Sequence, residues 1–547
     1  MADKYSTKTL DHLGIVAGVC EKIRLIQQID ARIPDTGRTV TVGQAVQAMV
    51  LNGLGFVGRP LYLTPEFYRT KPLDVLIGAG IEADDLNSDS LGKALDYVHQ
   101  AGITELFAEV SAHALKTYGI QVRFAHLDTT AFSLEGAYEV DREIDDDEPQ
   151  PIQISYGYSK DHRPDLKQAI LGLISVNRTS IPAYLSAVSG NVSDKTSMPE
   201  MAEVYLKQFA ADEHPPVLVA DTALYSAETL KDLSNNDWVT RVPATLTEAK
   251  AALVSNPLDE MVESERPGYR YREIASEYGG IKQRWLVVHS EARAQQEQTQ
   301  LERKIEREQE KLGKQIKKLS RQRFNCEADA DQALVKANRG WQFHRLTGNS
   351  KAHTRYAQAG RPTEDSETIT DWQLEVDLER DEEKIRMRTE ALGKYILATN
   401  LLDPQELPAE ELLTVYKDQN RSVERGFRFL KDPFFFTSSF FLKKPSRIMG
   451  LLMVMGLSLL IYALAEHDLR QQLVETGQSI PDQKGKPTQN PTMRRVFQMF
   501  EGIHLLTIDE GGRFRRILTN VGDVHLQIAT LLGAAVLKFY LFEDTPL

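Results

Sequence analysis

The chain has 547 residues, of which 41% are hydrophobic and 26% are charged, and these proportions are typical of a soluble globular protein with several domains. The formal net charge of −13 argues against a protein that coats nucleic acid indiscriminately, although local basic surfaces can still bind phosphate. Two cysteines far apart in sequence, Cys20 and Cys326, and an N-terminus without the apolar region of a signal peptide predict a cytoplasmic protein.

Residues 1–118 predict an N-terminal helical domain. Residues 42–54 have an amphipathic pattern, and residues 89–100 have another that Asp89 is positioned to cap. Neither helix is notably basic, so recognition of nucleic acid, dimerisation and ordinary packing all remain open for this domain.

From residue 119 the pattern changes to that of an α/β core. Two of its predicted strands end in a carboxylate, one at Asp128 and the other at Asp221. Three antiparallel strands come first, followed by helix, strand, helix and strand. The predicted strands and helices cover residues 122–128, 152–158, 169–176, 181–188, 198–209, 216–221, 226–233 and 238–242.

An insertion over residues 249–390 interrupts this order. Residues 269–288 predict a β-hairpin around Gly279-Gly280, and residues 291–336 predict a long, charged helical hairpin that protrudes from the core. A dimer contact and a solvated spacer are equally compatible with that hairpin. Strands at residues 374–378 and 393–399 are expected to return the chain to the core sheet.

Residues 416–431 predict a single helix that ends at Asp432-Pro433. Its apolar side, Val423, Phe427 and Leu430, can dock on a core. The neighbouring side is charged, and it consists of Arg421, Glu424, Arg428 and Lys431. A row of ordinary helix ion pairs would show the same pattern.

Residues 448–465 are apolar and uncharged, and they fall just short of the roughly 20 residues that a bilayer requires. We interpret them as a buried central helix in the second part of the core, residues 391–475, rather than as a membrane span. A helical C-terminal region, residues 476–547, follows. Its arginines could contact the DNA backbone or belong to an ordinary surface helix.

The residues that carry chemistry are the two strand-end aspartates, Asp128 and Asp221, and the helix residue Glu424. Brought together, three carboxylates can hold two Mg²⁺ ions, which prefer oxygen ligands, and Mn²⁺ can substitute for them. Such a pair of ions activates an attacking hydroxyl and stabilises the leaving oxygen in phosphodiester chemistry.

At these motifs the sequence resembles the insertion-sequence DDE transposases, in particular the subgroup with a β-rich insertion and a Tyr-Arg-Glu-Lys signature. The resemblance implies an RNase H-like core, in which a mixed sheet is flanked by helices, interrupted by the insertion and preceded by the N-terminal helical domain. That domain would bind DNA ends or dimerise. The resembling stretches are residues 126–132, 157–168, 190–196, 220–226 and 423–433.

The resemblance also implies roles for individual residues. Asp128, Asp221 and Glu424 would bind the metal ions, and Lys431 would contact transposon-end phosphates. Tyr416 and Arg421 each lie one residue away from the signature positions. Since His162 and Arg163 occupy a turn, they could touch DNA or brace that turn. The predicted DNA-binding set is Tyr416, Arg421, Arg428, Lys431, His162 and Arg163.

The implied reaction is nicking at the ends of the element, followed by attack of the 3′-OH on target DNA. The partners would be the terminal inverted repeats, the target DNA and a second copy of the chain, forming a homodimer on DNA. The alternatives are a non-catalytic DNA-binding or assembly protein on the same fold, and a metal-dependent nuclease that does not join strands. A membrane protein built on residues 448–465 is a more distant alternative.

Overall fold

The computed structural model describes residues 4–34, 37–57, 60–136, 138, 150–158, 163–209, 215–357, 367–419, 422–433, 435, 442–509 and 514–541. The chain divides into two compact units. The first comprises Met1–Thr240, Gly279–Ile281 and Glu411–Leu547, and the second comprises Arg241–Tyr278 and Lys282–Glu410. The five-domain division expected from the sequence stays a prediction.

The N-terminal region is mainly helical, as predicted. The capping box between Thr41 and Gln44 starts the third helix at the expected position. The helix predicted at residue 89 begins one residue earlier, because the side chain of Asn87 rather than Asp89 caps it. The elements are β1 (Lys4–Thr9), α1 (Leu13–Lys22), α2 (Leu25–Arg32), α3 (Val42–Leu54), α4 (Thr64–Tyr68), α5 (Leu73–Leu76), α6 (Ser88–Gln100) and α7 (Ile103–Thr117).

The core of the first unit is a mixed sheet with strand order β4-β3-β2-β5-β6. β2, β3 and β4 are antiparallel, whereas β5 and β6 run parallel to β2. This sheet, flanked by helices, confirms the predicted fold class. Its elements are β2 (Phe124–Leu134), β3 (Lys167–Val176), β4 (Pro182–Ser189), α8 (Asp194–Lys207), β5 (Val217–Ala220), α9 (Ala227–Asp232) and β6 (Trp238–Arg241).

Two sequence expectations for this sheet are wrong. Asp128 does not end its strand, because β2 continues as a long hairpin with β3 until Leu134 lies opposite Lys167. Residues 152–158 do not form a strand, and only one bridge joins Ser155 to Gln168. Alternation alone predicted that strand, but residue Gln168 lies just beyond the end of the β3–β4 pairing at Ala169 and offers only this single bridge.

The second unit contains four strands in the order β13-β9-β8-β7 and a separate sheet in the order β10-β12-β11. The predicted hairpin is present as β8 and β9, joined at Gly279-Gly280. The elements of this part of the chain are α10 (Thr247–Ser255), β7 (Val262–Glu263), β8 (Tyr269–Tyr278), β9 (Ile281–Ser290), α11 (Glu291–Leu319), β10 (Arg323–Phe324), α12 (Glu327–Ala337), β11 (His344–Tyr356), β12 (Thr368–Arg380), α13 (Glu382–Glu390) and β13 (Lys394–Thr399).

The long charged segment is not a protruding hairpin. Its two helices, α11 and α12, are separated by β10 and bury a shared core that includes Leu312, Ala330 and Leu374. The strand expected to return to the core sheet at residues 374–378 belongs to β12, which pairs with β10 and β11. The many charged residues of this segment predicted helices surrounded by solvent. An apolar stripe of about one residue per turn is nevertheless enough to pack one side of a helix.

The predicted helix over residues 416–431 is also wrong as a single element. α14 (Ala409–Asp418) ends first, and α15 (Val423–Leu430) begins after a turn at Ser422, whose φ and ψ are −96° and −102°. Asn and Ser favour turns because their side chains compete for backbone hydrogen bonds. The intervening residues 420–421 lie outside the part of the chain that the structure describes.

α16 (Pro445–Glu475) is the central buried helix of the first unit, as predicted. Every residue from Ile448 to Glu466 is buried. Among the described residues it is the one helix long and apolar enough to cross a membrane, and 94% of its most apolar stretch lies inside the protein. A Cβ at Gly456 would clash with Leu185 of β4, so this helix packs closely against the sheet.

The C-terminal region was expected to be helical, but it also contains strands. β16 pairs with both β17 and β1, so the two chain ends share a small antiparallel sheet. The elements are β14 (Ile480–Pro481), β15 (Pro487–Thr488), α17 (Met493–Met499), β16 (His504–Asp509), β17 (Phe514–Thr519), α18 (Asp523–Leu531) and α19 (Ala534–Leu537).

We expect Leu452→Ala to destabilise the first unit by about 2–5 kcal/mol, because Leu452 is fully buried on α16 and its loss leaves a cavity. The matched control on the same helix is Val474→Ala, since Val474 is 63% exposed. Urea unfolding of the full chain should show a lower midpoint for the first variant only. Equal midpoints would contradict the central position of α16.

We also expect stability to fall with acid because of His12. Burial lowers the pKa of His12 to about 4 from 6.5, and its ring stacks on Phe497 while Nε2 bonds to the Leu54 carbonyl. As the pH falls from 6.5 towards 4, the unfolded chain binds a proton that the folded chain does not, so stability decreases in that window. Urea unfolding at pH 7 and pH 5 should show a smaller loss for His12→Gln, and an equal loss would refute this assignment.

Candidate functional site

Asp128 and Asp221 are brought together by the parallel pairing of β2 and β5. His126 lies opposite Val219 in that ladder. Asp128 and Asp221 each follow two residues later, and Asp221 keeps an extended backbone with φ −81° and ψ −174°. The same register therefore places the two carboxylates beside each other on one face of the sheet. Asp128 is half-buried and Asp221 is exposed.

Tyr416 of α14 contacts this pair. Its hydroxyl donates a hydrogen bond of 3.1 Å to Oδ1 of Asp221. α14 and α15 are separate helices, so no continuous helical spacing connects Tyr416 to Glu424, and the role that the family signature implies for Tyr416 stays a prediction. The phenol restricts the rotation of the Asp221 carboxylate.

α15 carries Glu424 and packs against β2, β3 and α16. Val423, Phe427 and Leu430 are buried, as the helical spacing predicted, while Glu424 is exposed in the first turn. Gly426 permits a close approach to α16, because a Cβ there would lie 3.0 Å from Leu459 Cδ2. The helix thus presents Glu424 above the same sheet that holds the two aspartates.

The turn between α14 and α15 is anchored to the sheet by two polar contacts. Gln419 Nε2 donates to the carbonyl oxygen of Leu127, at 3.3 Å, next to Asp128. The buried Asp418 forms an ion pair with Arg178 in the β3–β4 turn, with Nε and Oδ2 2.5 Å apart. Asp418 is 4% exposed at its side chain whereas Arg178 is 67% exposed, so loss of Arg178 would remove an opposite charge from a buried carboxylate, and the contact helps to fix where α15 begins.

Two cations of the predicted DNA-binding set lie on the exposed side of α15. Arg428 follows Glu424 by one turn and is exposed. The ammonium of Lys431, just after the helix, lies 5.9 Å from the ring centre of Phe132. Because Phe132 and Asp128 are on the same face of β2, Lys431 projects over the face that carries the carboxylates.

Sequence reasoning missed a polar contact on the opposite face of β2. The Thr129 hydroxyl donates to Oδ1 of Asp194 at 2.5 Å, and the Thr129 backbone N–H donates to Oδ1 of Asp128 at 2.8 Å. Asp194 belongs to the first turn of α8, so this chain of bonds connects α8 to Asp128. No spacing rule could have paired residues 129 and 194, because the contact depends on how α8 packs.

The remaining predicted residues divide into two groups. His162 and Arg421 lie outside the described residues. Arg163 is exposed and forms an ion pair with Asp165, with Nη2 and Oδ2 2.7 Å apart. That pair suits a turn-bracing role, and contact with DNA stays a prediction.

The donor set is suited to a hard divalent cation. Asp128, Asp221 and Glu424 offer only carboxylate oxygens, which Mg²⁺ and Mn²⁺ prefer. Within the described ranges no three acidic, histidine or cysteine side chains are already close enough together to form a metal site. Burial lowers the pKa of the neighbouring His126 to about 4, so its imidazole is neutral at physiological pH.

Comparison with known protein families gives two matches. Residues 149–461, more than half of the chain, match the family model of the transposase DDE domain. The chain belongs to this transposase family. The matched segment contains Asp221 and Glu424, whereas Asp128 precedes it. Residues 5–112 match a domain of unknown function, which covers most of the N-terminal helical region.

Other comparisons add little. No curated protein matches the chain. A cryo-EM structure of the piggyBac transposase synaptic complex with hairpin DNA is similar at 10% identity, over 91% of this chain and 82% of that one. Its TM-score of 0.37 is too low to carry any argument about this transposase.

We expect Tyr416→Phe to raise the divalent-metal concentration needed for half-maximal DNA cleavage by about tenfold, because the variant loses the bond that orients Asp221. DNA affinity should change less than twofold. Tyr5→Phe is the control, since Tyr5 is 77% exposed on β1. Metal titrations of cleavage and separate DNA-binding curves would measure both quantities. A large loss of DNA affinity without a change in metal dependence would instead make Tyr416 a DNA contact.

Proposed function

We propose that this transposase binds the terminal inverted repeats of its element, cleaves them by metal-dependent phosphodiester hydrolysis and joins the 3′-OH to target DNA. The observation that carries the proposal is the parallel register of β2 and β5. Asp128 and Asp221 each lie two residues beyond its last pair, His126 and Val219, beneath the helix that presents Glu424. A solely DNA-binding protein has no need for three carboxylates on elements that meet at one face of a sheet.

The proposed cofactor is a pair of Mg²⁺ ions held by Asp128, Asp221 and Glu424, with Mn²⁺ as a substitute. When bound, such ions activate the attacking hydroxyl and neutralise charge on the leaving oxygen. The protein itself positions the carboxylates and binds the DNA. Tyr416 orients Asp221, and the anchored turn before α15 fixes the position of Glu424 relative to β2.

The proposed DNA contacts are made by the cations on the face that carries the carboxylates. Lys431 and Arg428 are placed to bind the phosphates that flank the reacting bond, since phosphate contacts supply register rather than sequence recognition. Joining two ends of an element requires two active sites, and we therefore propose a homodimer assembled on DNA. The two free cysteines, Cys20 and Cys326, are in keeping with the proposed cytoplasmic location.

The decisive test is cleavage of DNA that carries the element's own ends, with wild type compared with Glu424→Gln. The variant keeps the shape of the side chain but loses the charge that a metal ion needs, so we expect cleavage to fall at least about a hundredfold. Binding of the same DNA should persist. Gel assays with Mg²⁺, Mn²⁺ and a chelator would measure cleavage, and a second assay with target DNA would measure joining.

Glu228→Gln is the matched control, because Glu228 is also an exposed glutamate in the first turn of a helix. Its cleavage should equal that of wild type. Equal cleavage by wild type and Glu424→Gln would overturn the assignment of Glu424. Binding without any cleavage by wild type would favour the non-catalytic assembly protein, and cleavage without joining would favour the nuclease.

A further inference from the structure

An arginine-lined cavity of about 600 Å³ lies beside α15 in the first unit. It is bounded by α15, α16, the start of α17 and the β3–β4 turn. We call it the arginine pocket. Its five arginines come from four separate segments of the chain, and they are Arg178, Arg425, Arg428, Arg470 and Arg494.

Among the residues that the structure describes, the lining of the arginine pocket carries more guanidinium groups than carboxylates. Glu466, only 6% exposed at its side chain, is shared by Arg425 at 2.6 Å and Arg470 at 3.0 Å. Asp432 pairs with Arg494 at 2.7 Å. The lining therefore holds five guanidinium groups and two carboxylates, and Asp418, the partner of Arg178, raises the second number only to three.

Burial and Glu466 oppose each other at both arginines of this pair, Arg425 and Arg470. Burial disfavours the charge of Arg425, but the hydrogen bond and ion pair with Glu466 together outweigh it and raise the pKa of Arg425. The pKa of Arg470 is lowered, first by burial and further by the nearby Arg425, although Glu466 opposes the change. Burial also lowers the pKa of His467, so this histidine favours its neutral form and leaves the charge of the pocket to its arginines and carboxylates. An anion that enters the cavity would relieve the repulsion between Arg425 and Arg470.

The shape of the donors favours phosphate. Guanidinium groups are planar and bind phosphate oxygens through two parallel N–H bonds, so several of them around one cavity form a phosphate cradle. The rest of the wall is aromatic. The rings of Phe429 and Tyr462 are 4.6 Å apart, and the Arg494 guanidinium lies 5.5 Å from the ring centre of Phe56. Such a wall can pack against the sugar that accompanies a backbone phosphate.

α15 joins the arginine pocket to the carboxylates. Arg428 lines the cavity, and Glu424 lies four residues earlier, which is about 6 Å along the helix axis. A DNA strand whose phosphate reacts near Glu424 would therefore carry its neighbouring phosphates past Arg428.

We propose that the arginine pocket is a phosphodiester-binding subsite that holds the backbone of the DNA substrate next to the reacting bond. This inference rests on the proposed function, because it takes DNA as the ligand. It adds Arg178, Arg425 and Arg470 to the DNA-binding residues expected from the sequence, and for Arg494 it selects DNA contact from the two alternatives that the sequence left open.

The test compares wild type with Arg470→Gln and Arg494→Gln in full-length protein. The probe is a fluorescein-labelled duplex carrying the element end, and a chelator is present so that binding is measured without cleavage. Each variant should bind about tenfold more weakly. The slope of log affinity against log salt concentration should become shallower by about one, because one phosphate contact is lost.

Arg447→Gln is the matched control. Arg447 is on the same helix as Arg470, has a similar side-chain exposure, 26% against 27%, and is also ion-paired, but it contacts Asp96 away from the pocket. Its affinity and salt slope should equal those of wild type. Arg470→Lys should recover part of the affinity, since the charge returns without the planar donor pair. Thermal unfolding would identify a variant that fails to fold, and Arg494→Gln then decides the question.

The outcomes separate this proposal from the proposed function. Wild-type affinity and salt slope in both glutamine variants would overturn the subsite, even if wild type cleaves DNA. Weaker binding with a shallower slope would support it, even if wild type does not cleave. Calorimetry with inorganic phosphate tests the other source of the same chemistry: phosphate binding that is lost in Arg494→Gln, with DNA binding unchanged, would overturn the DNA assignment and make the cavity a small-anion site.

Discussion

The candidate site depends on the packing of the short helix α15 between the sheet and the buried helix α16. Eight residues cannot form a stable helix in water by themselves, so tertiary contacts must supply the stability. Val423, Phe427 and Leu430 provide the apolar part. The ion pair between Arg425 and the buried Glu466 provides the polar part. Glu424 is exposed because these contacts fix the orientation of the helix, with its apolar side against the core.

α16 therefore has a role beyond filling the core. Its apolar half buries against the sheet and the N-terminal helices, while its polar end presents Glu466 and Arg470 to α15 and α17. Glu466 also accepts a hydrogen bond from the Met493 backbone N–H. One buried carboxylate thus fixes the start of α17 and the orientation of α15. A helix apolar enough to cross a membrane therefore organises the region around the proposed site.

Charge is separated over short distances in this region. The carboxylates Asp128, Asp221 and Glu424 share one face, and the arginine pocket lies beside α15 and includes Arg428, one turn after Glu424. A site that handles DNA needs both signs, because metal ions need anionic ligands whereas phosphates need cations. The net charge of −13 does not prevent this arrangement, since the local distribution of charge decides where a phosphate can bind.

Features that depend on neighbouring residues were predictable from the sequence. The period of Val423, Phe427 and Leu430 identified the buried side of α15, the apolar run at 448–465 identified a buried helix, and strand β5 ends where Asp221 follows it. Hydrophobic periodicity is a local property, and a helix or strand expresses it wherever it lies. The N-terminal helices were predictable for the same reason, whereas the mixed sheet was implied by the resemblance to the transposases.

Features that depend on long-range pairing appeared only in the tertiary structure. β2 extends past Asp128 because β3 is present to pair with it, and the predicted helix divides at a turn that Gln419 and Asp418 anchor to distant backbone and side chains. Tyr416 reaches Asp221 across a separation of 195 residues. The sequence alone determined which residue types could bind metal or phosphate. Only the tertiary structure decided which of these residues lie close together, because contacts between distant residues are set by register and packing and not by local spacing.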